Sequence, residues 1–448
     1  MKRSITGLLL GVMLLPLLAL ANSPPSTHEF MLDNGLKLIV IEDHKASLVH
    51  SHLWYRIGSN QEGPGQTGLS HALEHMLFNG SSKLCPSESD QILQSLGGSQ
   101  NATTLNDATL YFHTVPPHAL GVSFEVLADQ MSTALLSASQ WKGEREVVKN
   151  ERSESSEHHP IKRALEIPRR LALPASASGN PVIGWRHDLD RLQADDLKHW
   201  YHRWYAPNNA VLIVTGDVHP QQAKQLAERY FGPIARLPLP YSPAPIELTA
   251  PGERTIRQYL PQQIPMLYMA FNVPSLRTQV DPLTAQALEL IAEMLAGANS
   301  SLLKAQLIRH EGLASAVTAH YQAVSLGDEL FNISALPELE KAGSMETVRA
   351  RILAIIESLK TAAPSLEDLE RARIQITARR VFDQDALENR ALTVGFLEMA
   401  GLSWRSEQTR LDALKSITPQ DIQRTAQTFL VADRLTTSYA LPEETPHD

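Results

Sequence analysis

A faded internal repeat divides this 448-residue chain into two similar units. The run Leu192-Gln-Ala-Asp-Asp196-Leu197 returns as Ile417-Thr-Pro-Gln-Asp421-Ile422, and each reads as a capped helix start leading to an apolar strand. Met76-Leu77 returns as Met294-Leu295 at a slightly smaller offset, so the copies differ by a short insertion. On that register His71, Glu74 and His75 fall opposite Glu289, Ala292 and Glu293, and the second copy has lost whatever chemistry the first set carries. Two units need two cores, which the length also requires, because one core seldom organises more than about 250–300 residues. A composition of 43% hydrophobic and 20% charged residues supplies apolar material for both and excludes wholesale disorder.

The boundaries follow from punctuation in the chain. Lys2 and Arg3, an apolar stretch from Leu8 to Leu20 and the small-x-small site Ala19-Leu20-Ala21 predict a signal peptide over residues 1–21 and export to the periplasm. The apolar run is shorter than the roughly 20 residues a membrane anchor needs, which favours cleavage, and no later segment is apolar enough to span, so no membrane span is expected afterwards. Five prolines between Leu237 and Pro251 mark a linker, placed at 237–255, between a first domain at 22–236 and a second at 256–448. The formal charge of −9, without long runs of one sign, lacks the basic footprint of a nucleic-acid binder. Cys85 is the only cysteine, which rules out an intrachain disulfide and a cysteine-built zinc site; it reads as structural or incidental.

Strand and helix patterns mix throughout. Residues 29–59 predict a hairpin around Asp33-Asn34-Gly35 and a further strand through Leu53-Trp54-Tyr55. A Gly-rich loop from Gly58 to Gly68 leads into a helix over Leu69–Phe78, and a second helix is expected over Asp90–Leu96. Asn101–Thr114 reads as one strand, 118–156 as two helical segments, 190–205 as a helix and Val211–Val214 as a buried strand. The fold class expected is α+β, each unit a largely antiparallel sheet packed with helices.

Within the first helix, His71-Ala-Leu-Glu74-His75 sets two imidazoles one turn apart on one face. That spacing lets both meet one tetrahedral zinc ion at about 2.0–2.1 Å, with Glu74 near enough to activate water. The order His-x-x-Glu-His is the inverted form of the commoner metallopeptidase signature. A catalytic zinc needs a third protein ligand, and the helix predicted over Trp141–Glu157 offers Glu144, Glu146, Glu151, Glu154 and Glu157. Glu144 and Glu151, two turns apart, share a face; one would bind metal and the other would brace a histidine, and spacing does not choose between them. The competing reading of this acidic helix is a solvated surface paired to Arg145, Lys149 and Arg152.

The run from Gly65 to Gly80, with Asn101–Tyr111, Glu144–Arg152, and Tyr205–Asn209 through Gly216-Asp217-Val218, closely resembles the pitrilysin family of zinc peptidases. That family includes insulin-degrading enzyme and mitochondrial processing peptidase, and the resemblance runs from about residue 28 to the C-terminus. It implies two homologous domains of the mitochondrial-processing-peptidase type around a chamber, and hydrolysis of peptides or unfolded polypeptides. It selects Glu151 as third ligand with His71 and His75, puts Glu144 behind a histidine, and makes Glu74 the general base. The segment Asn101, Ala102 and Thr103 resembles the edge strand that captures substrate backbone. Relatives hold substrate with an Arg and a Tyr from the second domain or a partner chain; here Arg309 is kept, but Ser315 stands where Tyr is usual. That departure resembles bacterial members that pair with a separate chain, so a heterodimer is expected, with a homodimer second. The competing functions are a non-catalytic subunit of the same fold and a periplasmic zinc buffer; the second fits poorly, because the remaining histidines are scattered and His158-His159 reads as surface.

Overall fold

The computed structural model describes residues 26–262 and 264–443, so the predicted signal segment lies outside the described residues. In the first half, strands β1 (Ser26–Met31), β2 (Lys37–Glu42), β3 (Val49–Tyr55), β4 (Ser99–Thr104), β5 (Thr109–Val115) and β6 (Ala210–Gly216) form one sheet in the order β1-β2-β6-β3-β5-β4. Strands β7 (Arg254–Leu260), β8 (Met266–Val273), β9 (Ala314–Tyr321), β10 (Glu329–Pro337) and β11 (Leu435–Pro442) form the other, ordered β7-β11-β8-β10-β9. In each sheet one pair is parallel, β2 with β6 and β7 with β11, and every other pair is antiparallel. The second sheet therefore repeats β2-β6-β3-β5-β4 strand for strand, which is the internal copy seen in three dimensions.

The helices of the first half are α1 (Leu69–Leu77), α2 (Glu88–Ser95), α3 (Leu120–Thr133), α4 (Ala138–Arg152), α5 (Pro160–Ala172), α6 (Arg186–Leu189), α7 (Ala194–Trp204) and α8 (Pro220–Tyr230). The second half adds α9 (Thr284–Ala296), α10 (Leu339–Ala342), α11 (Met345–Thr361), α12 (Leu366–Asp383), α13 (Leu387–Met399), α14 (Ser406–Ser416) and α15 (Pro419–Phe429). The two repeated sequence runs are capping boxes, Gln193 with Asp196 at the start of α7 and Thr418 with Asp421 at the start of α15. Each box satisfies orphan N–H groups of its first turn. Each helix is followed by a short 3-10 turn and then by the strand that enters the middle of its sheet. No helix among the described residues is long and apolar enough to cross a membrane.

Two expectations need correction. Asn101–Thr114 is a hairpin, β4 and β5 joined at residues 105–108, because the polar Asn106-Asp107 pair makes a turn instead of continuing the strand. The helix over Trp141–Glu157 is α-helical only to Arg152; Ser153–Glu157 widens into a π-helical segment.

Every residue of β6 and of β8 is buried, so both faces of each sheet must be covered. One face carries the helices of its own half. The other is covered by a helix from the opposite half: α5 packs on β7, β8 and β11, and α13 packs on β3 and β6. Ala391 and Met399 of α13 join Ile39, Ile41, Trp54, Val211 and Ile213 in one apolar cluster. Ala164 and Ala172 of α5 join Met266, Tyr268, Ala270 and Ala440 in its counterpart. Residues 237–253 contain no strand or helix.

Candidate metal centre

The loop before α1 is built to aim that helix. Gly68 caps it at φ +86, a left-handed conformation, and a Cβ there would also strike Ile183 O and Gly184 Cα. The buried Glu62 carboxylate accepts the N–H groups of Gly68 and Ser70, each at 2.7 Å, satisfying donors the helix cannot satisfy internally. Burial nevertheless pushes the Glu62 carboxyl up to about 8. Leu69, Ala72, Leu73, Met76 and Leu77 bury the opposite side of α1 in the first core, which turns His71 and His75 toward α4.

There the predicted residues converge. Glu151 Oε2 lies 3.5 Å from His71 Nε2 and 3.2 Å from His75 Nε2, and one donor atom from each of the three falls within 4.8 Å of the others. A tetrahedral ion bonded at about 2.0–2.2 Å sets its ligands roughly 3.3 Å apart, a spacing those two distances bracket. Two imidazole nitrogens and one carboxylate oxygen suit zinc, so the residues present fit the ion the motif implies. His75 has its second nitrogen, Nδ1, 2.9 Å from Glu144 Oε1, while Glu144 Oε2 accepts from Asn79 Nδ2 at 3.1 Å. Glu144 and Glu151 therefore take different nitrogens of one ring. Glu146 turns away to pair with Lys149 and Arg145 on the surface, and Glu157 pairs with Arg152 and Arg186.

Electrostatics follow from burial and these contacts. Burial, with the neighbouring His75, holds His71 well below the ordinary imidazole range. Burial opposes charge on His75 too, but the bonds to Glu144 and Glu151 outweigh it and carry that imidazole up to about 9. The same bonds hold both carboxyls below their usual range. Glu74 is buried, which pushes its carboxyl up to about 7 against the opposing hydrogen bond from Thr104 Oγ1, which donates to Oε2 at 2.5 Å. Thr104 sits at the end of β4, and nothing in its sequence setting marked it as the partner of Glu74. Asn79 likewise carries no sequence signal beyond its place in the recognisable run, and Glu62, ahead of that run, carries none.

Asn101, Ala102 and Thr103 lie on β4, the outermost strand of the first sheet, which pairs only with β5. Ala102 N donates to Asn101 Oδ1 at 2.9 Å. Arg309 is exposed on the π-helical segment Lys304–His310 of the second half. Ser315 Oγ donates to Leu336 O. In the second copy Glu289 accepts ion pairs from Arg380 and Arg410, and Glu293 one from Arg379. Guanidinium groups there neutralise the carboxylates where the first copy gathers metal-type donors. His158 and His159 are exposed, as is Cys85.

The family model described as Insulinase (Peptidase family M16) matches residues 37–173, and that described as Peptidase M16 inactive domain matches residues 191–376. The zinc protease PqqE of Helicobacter pylori is 27% identical over 360 residues, 78% of this chain and 78% of that protein. The crystal structure of a protease from Helicobacter pylori superposes with a TM-score of 0.86 at 23% identity, covering 94% of this chain and 100% of that one. The first half of the periplasmic protease PqqL from Escherichia coli gives a TM-score of 0.78 at 17% identity, covering 95% and 94% of the two chains. At those identities the structural likeness speaks to the fold.

Proposed function

Because the chain belongs to the M16 family of peptidases, we propose that it is an exported zinc endopeptidase in which His71, His75 and Glu151 hold the ion and Glu74 is the general base. The observation that carries this reading is the convergence of those three donors beside a buried carboxyl. Bound zinc supplies Lewis acidity toward the scissile carbonyl and a lowered pKa for the attacking water. The protein's own groups do the rest. Thr104 Oγ1 holds Oε2 of Glu74, which leaves the other oxygen to take a proton from water and return it to the leaving amine. A carboxyl whose pKa lies near 7 is suited to both transfers. Glu144 fixes the ring of His75 through Nδ1, presenting Nε2 on the ion's side.

Peptides or unfolded polypeptides are the substrates proposed, entered as an added strand on the free edge of β4 at Asn101, Ala102 and Thr103. That mode reads backbone more than side chains and suits broad specificity. Because Arg309 is kept but serine occupies position 315, where relatives carry tyrosine, the reading includes a homologous partner chain, with a homodimer second. Export to the periplasm rests on residues 1–21. Metal content and peptide cleavage, measured on the wild type and on Glu74→Gln, test the assignment. The variant is expected to keep its zinc and lose turnover; retained turnover discards Glu74 as the base. Full activity of the purified chain by itself discards the partner.

A further inference from the structure

A second set of metal-type donors lies at the other end of the first sheet. Glu42 closes β2 beside Gly216 at the end of β6, and Gly216 pairs with Val49 at the start of β3. Thr104, the partner of Glu74, pairs with Thr109, which faces Tyr55 at the far end of β3. The seven residues of β3 thus separate the two places, by roughly 20 Å at about 3.3 Å per residue.

His44 stands on the β2–β3 connection and His219 just ahead of α8. Glu42 Oε1 is 2.9 Å from His44 Nε2 and 3.0 Å from His219 Nδ1, and donor atoms from the three residues lie within 4.8 Å of one another. The other nitrogen of His44, Nδ1, is 2.6 Å from Asp217 Oδ1, and the other oxygen of Glu42 accepts from Ser26 Oγ at 3.2 Å. This is the division of labour seen at His75, where one ring nitrogen faces a carboxylate brace and the other faces the donor cluster. Such a brace fixes the tautomer and leaves the second nitrogen's lone pair for a metal. The spacings are a few tenths of an ångström tighter than the roughly 3.3 Å around a tetrahedral ion. The side chains of His44 and His219 are 45% and 74% exposed, so both are free to open by that amount.

We propose that Glu42, His44 and His219 bind a second zinc ion, with Asp217 orienting His44. The ligands come from the end of β2, the β2–β3 connection and the β6–α8 connection, so the ion ties three segments together at a distance that excludes contact with the reacting atoms. Its exposed imidazoles must be ordered on binding, which makes this site weaker than the one between α1 and α4.

Equilibrium dialysis of the full chain against zinc, followed by metal analysis, tests this. The wild type is expected to take up one ion more than His44→Ala or His219→Ala, while both variants keep the peptide cleavage of the wild type and its metal-free melting temperature. Asp217→Asn is expected to keep the extra ion with an affinity about 10–100-fold lower. Equal zinc uptake by the wild type and the His44→Ala/His219→Ala double variant overturns the proposal and leaves a hydrated ion-pair cluster. Repeating the comparison in a Glu151→Gln background separates the two sites. Failure of the first site lowers every total equally, whereas failure of the second abolishes the difference between totals.

Discussion

Gly395→Ala tests how the halves are joined. Gly395 lies inside α13, where alanine is the better helix former, so on local grounds the change stabilises the chain by about 0.5–1 kcal/mol. The packing reverses that sign. A Cβ at position 395 would sit within the van der Waals envelope of the Trp54 indole, 2.5 Å from Nε1 and nearer still to the adjoining ring carbons. Trp54 cannot step aside: it is fully buried on β3, flanked by Leu110 of β5 and Val211 of β6. Helix α13 must retreat instead, loosening Ala391 and Met399 from the same cluster. Overpacking against a rigid neighbour costs about 1–3 kcal/mol. With the upper figure, and after the helix gain, the net destabilisation is about 2 kcal/mol, or roughly 4–8 °C in the melting of the first half. Calorimetry of Gly395→Ala in the wild type and in a Trp54→Leu background measures it. Leucine removes the obstructing ring, so there the alanine is expected to be neutral or stabilising. A stabilising Gly395→Ala in the wild type, or an equal cost in both backgrounds, refutes this account of the joint.

Other outcomes follow from the site and from buried histidines. Glu151→Gln is expected to weaken zinc binding at the His71, His75 and Glu151 cluster, and unchanged zinc content there counts against its role as ligand. Glu144→Gln keeps all three donors but removes the carboxylate facing His75 Nδ1, so zinc affinity by competitive chelation is expected to fall about 10–100-fold; an unchanged affinity removes Glu144 from the site. His52 and His113 are buried, and desolvation holds each at about 3. Their folded values lie below the unfolded one, so the stability they contribute is complete above about pH 6.5 and is lost as pH falls from there toward 3, by about 1.4 kcal/mol per pH unit for each. His52 has neither ring nitrogen bonded, so His52→Leu is expected to flatten the pH dependence of denaturant midpoints over that window, and an unaltered slope sinks the assignment.

Much of the site is legible because its parts are local. His71 and His75 meet because residues four apart on a helix are one turn apart, and no tertiary contact is needed to bring their rings to a centroid separation of 4.7 Å. The capping boxes at Gln193 and Thr418 announce their helices for the same reason. Periodicity brings Glu144 and Glu151 to one face of α4 and stops there. Only the angle at which α4 crosses α1 sends Glu144 to Nδ1 of His75 and Glu151 to Nε2, a contact across 76 residues that no local rule reaches. Thr104 reaches Glu74 across 30 residues in the same way.

The internal copy and the apolar run Val211–Val214 were written in the sequence, and they required two cores and a buried strand in the first. Which helix supplies the outer cover was not written there. Both halves offer helices with suitable apolar faces, and the choice of α5 for the second sheet and α13 for the first is made by fit, at contacts such as Gly395 against Trp54. Periodicity is a property of neighbours along the chain, whereas fit depends on shapes that meet only after both sheets exist.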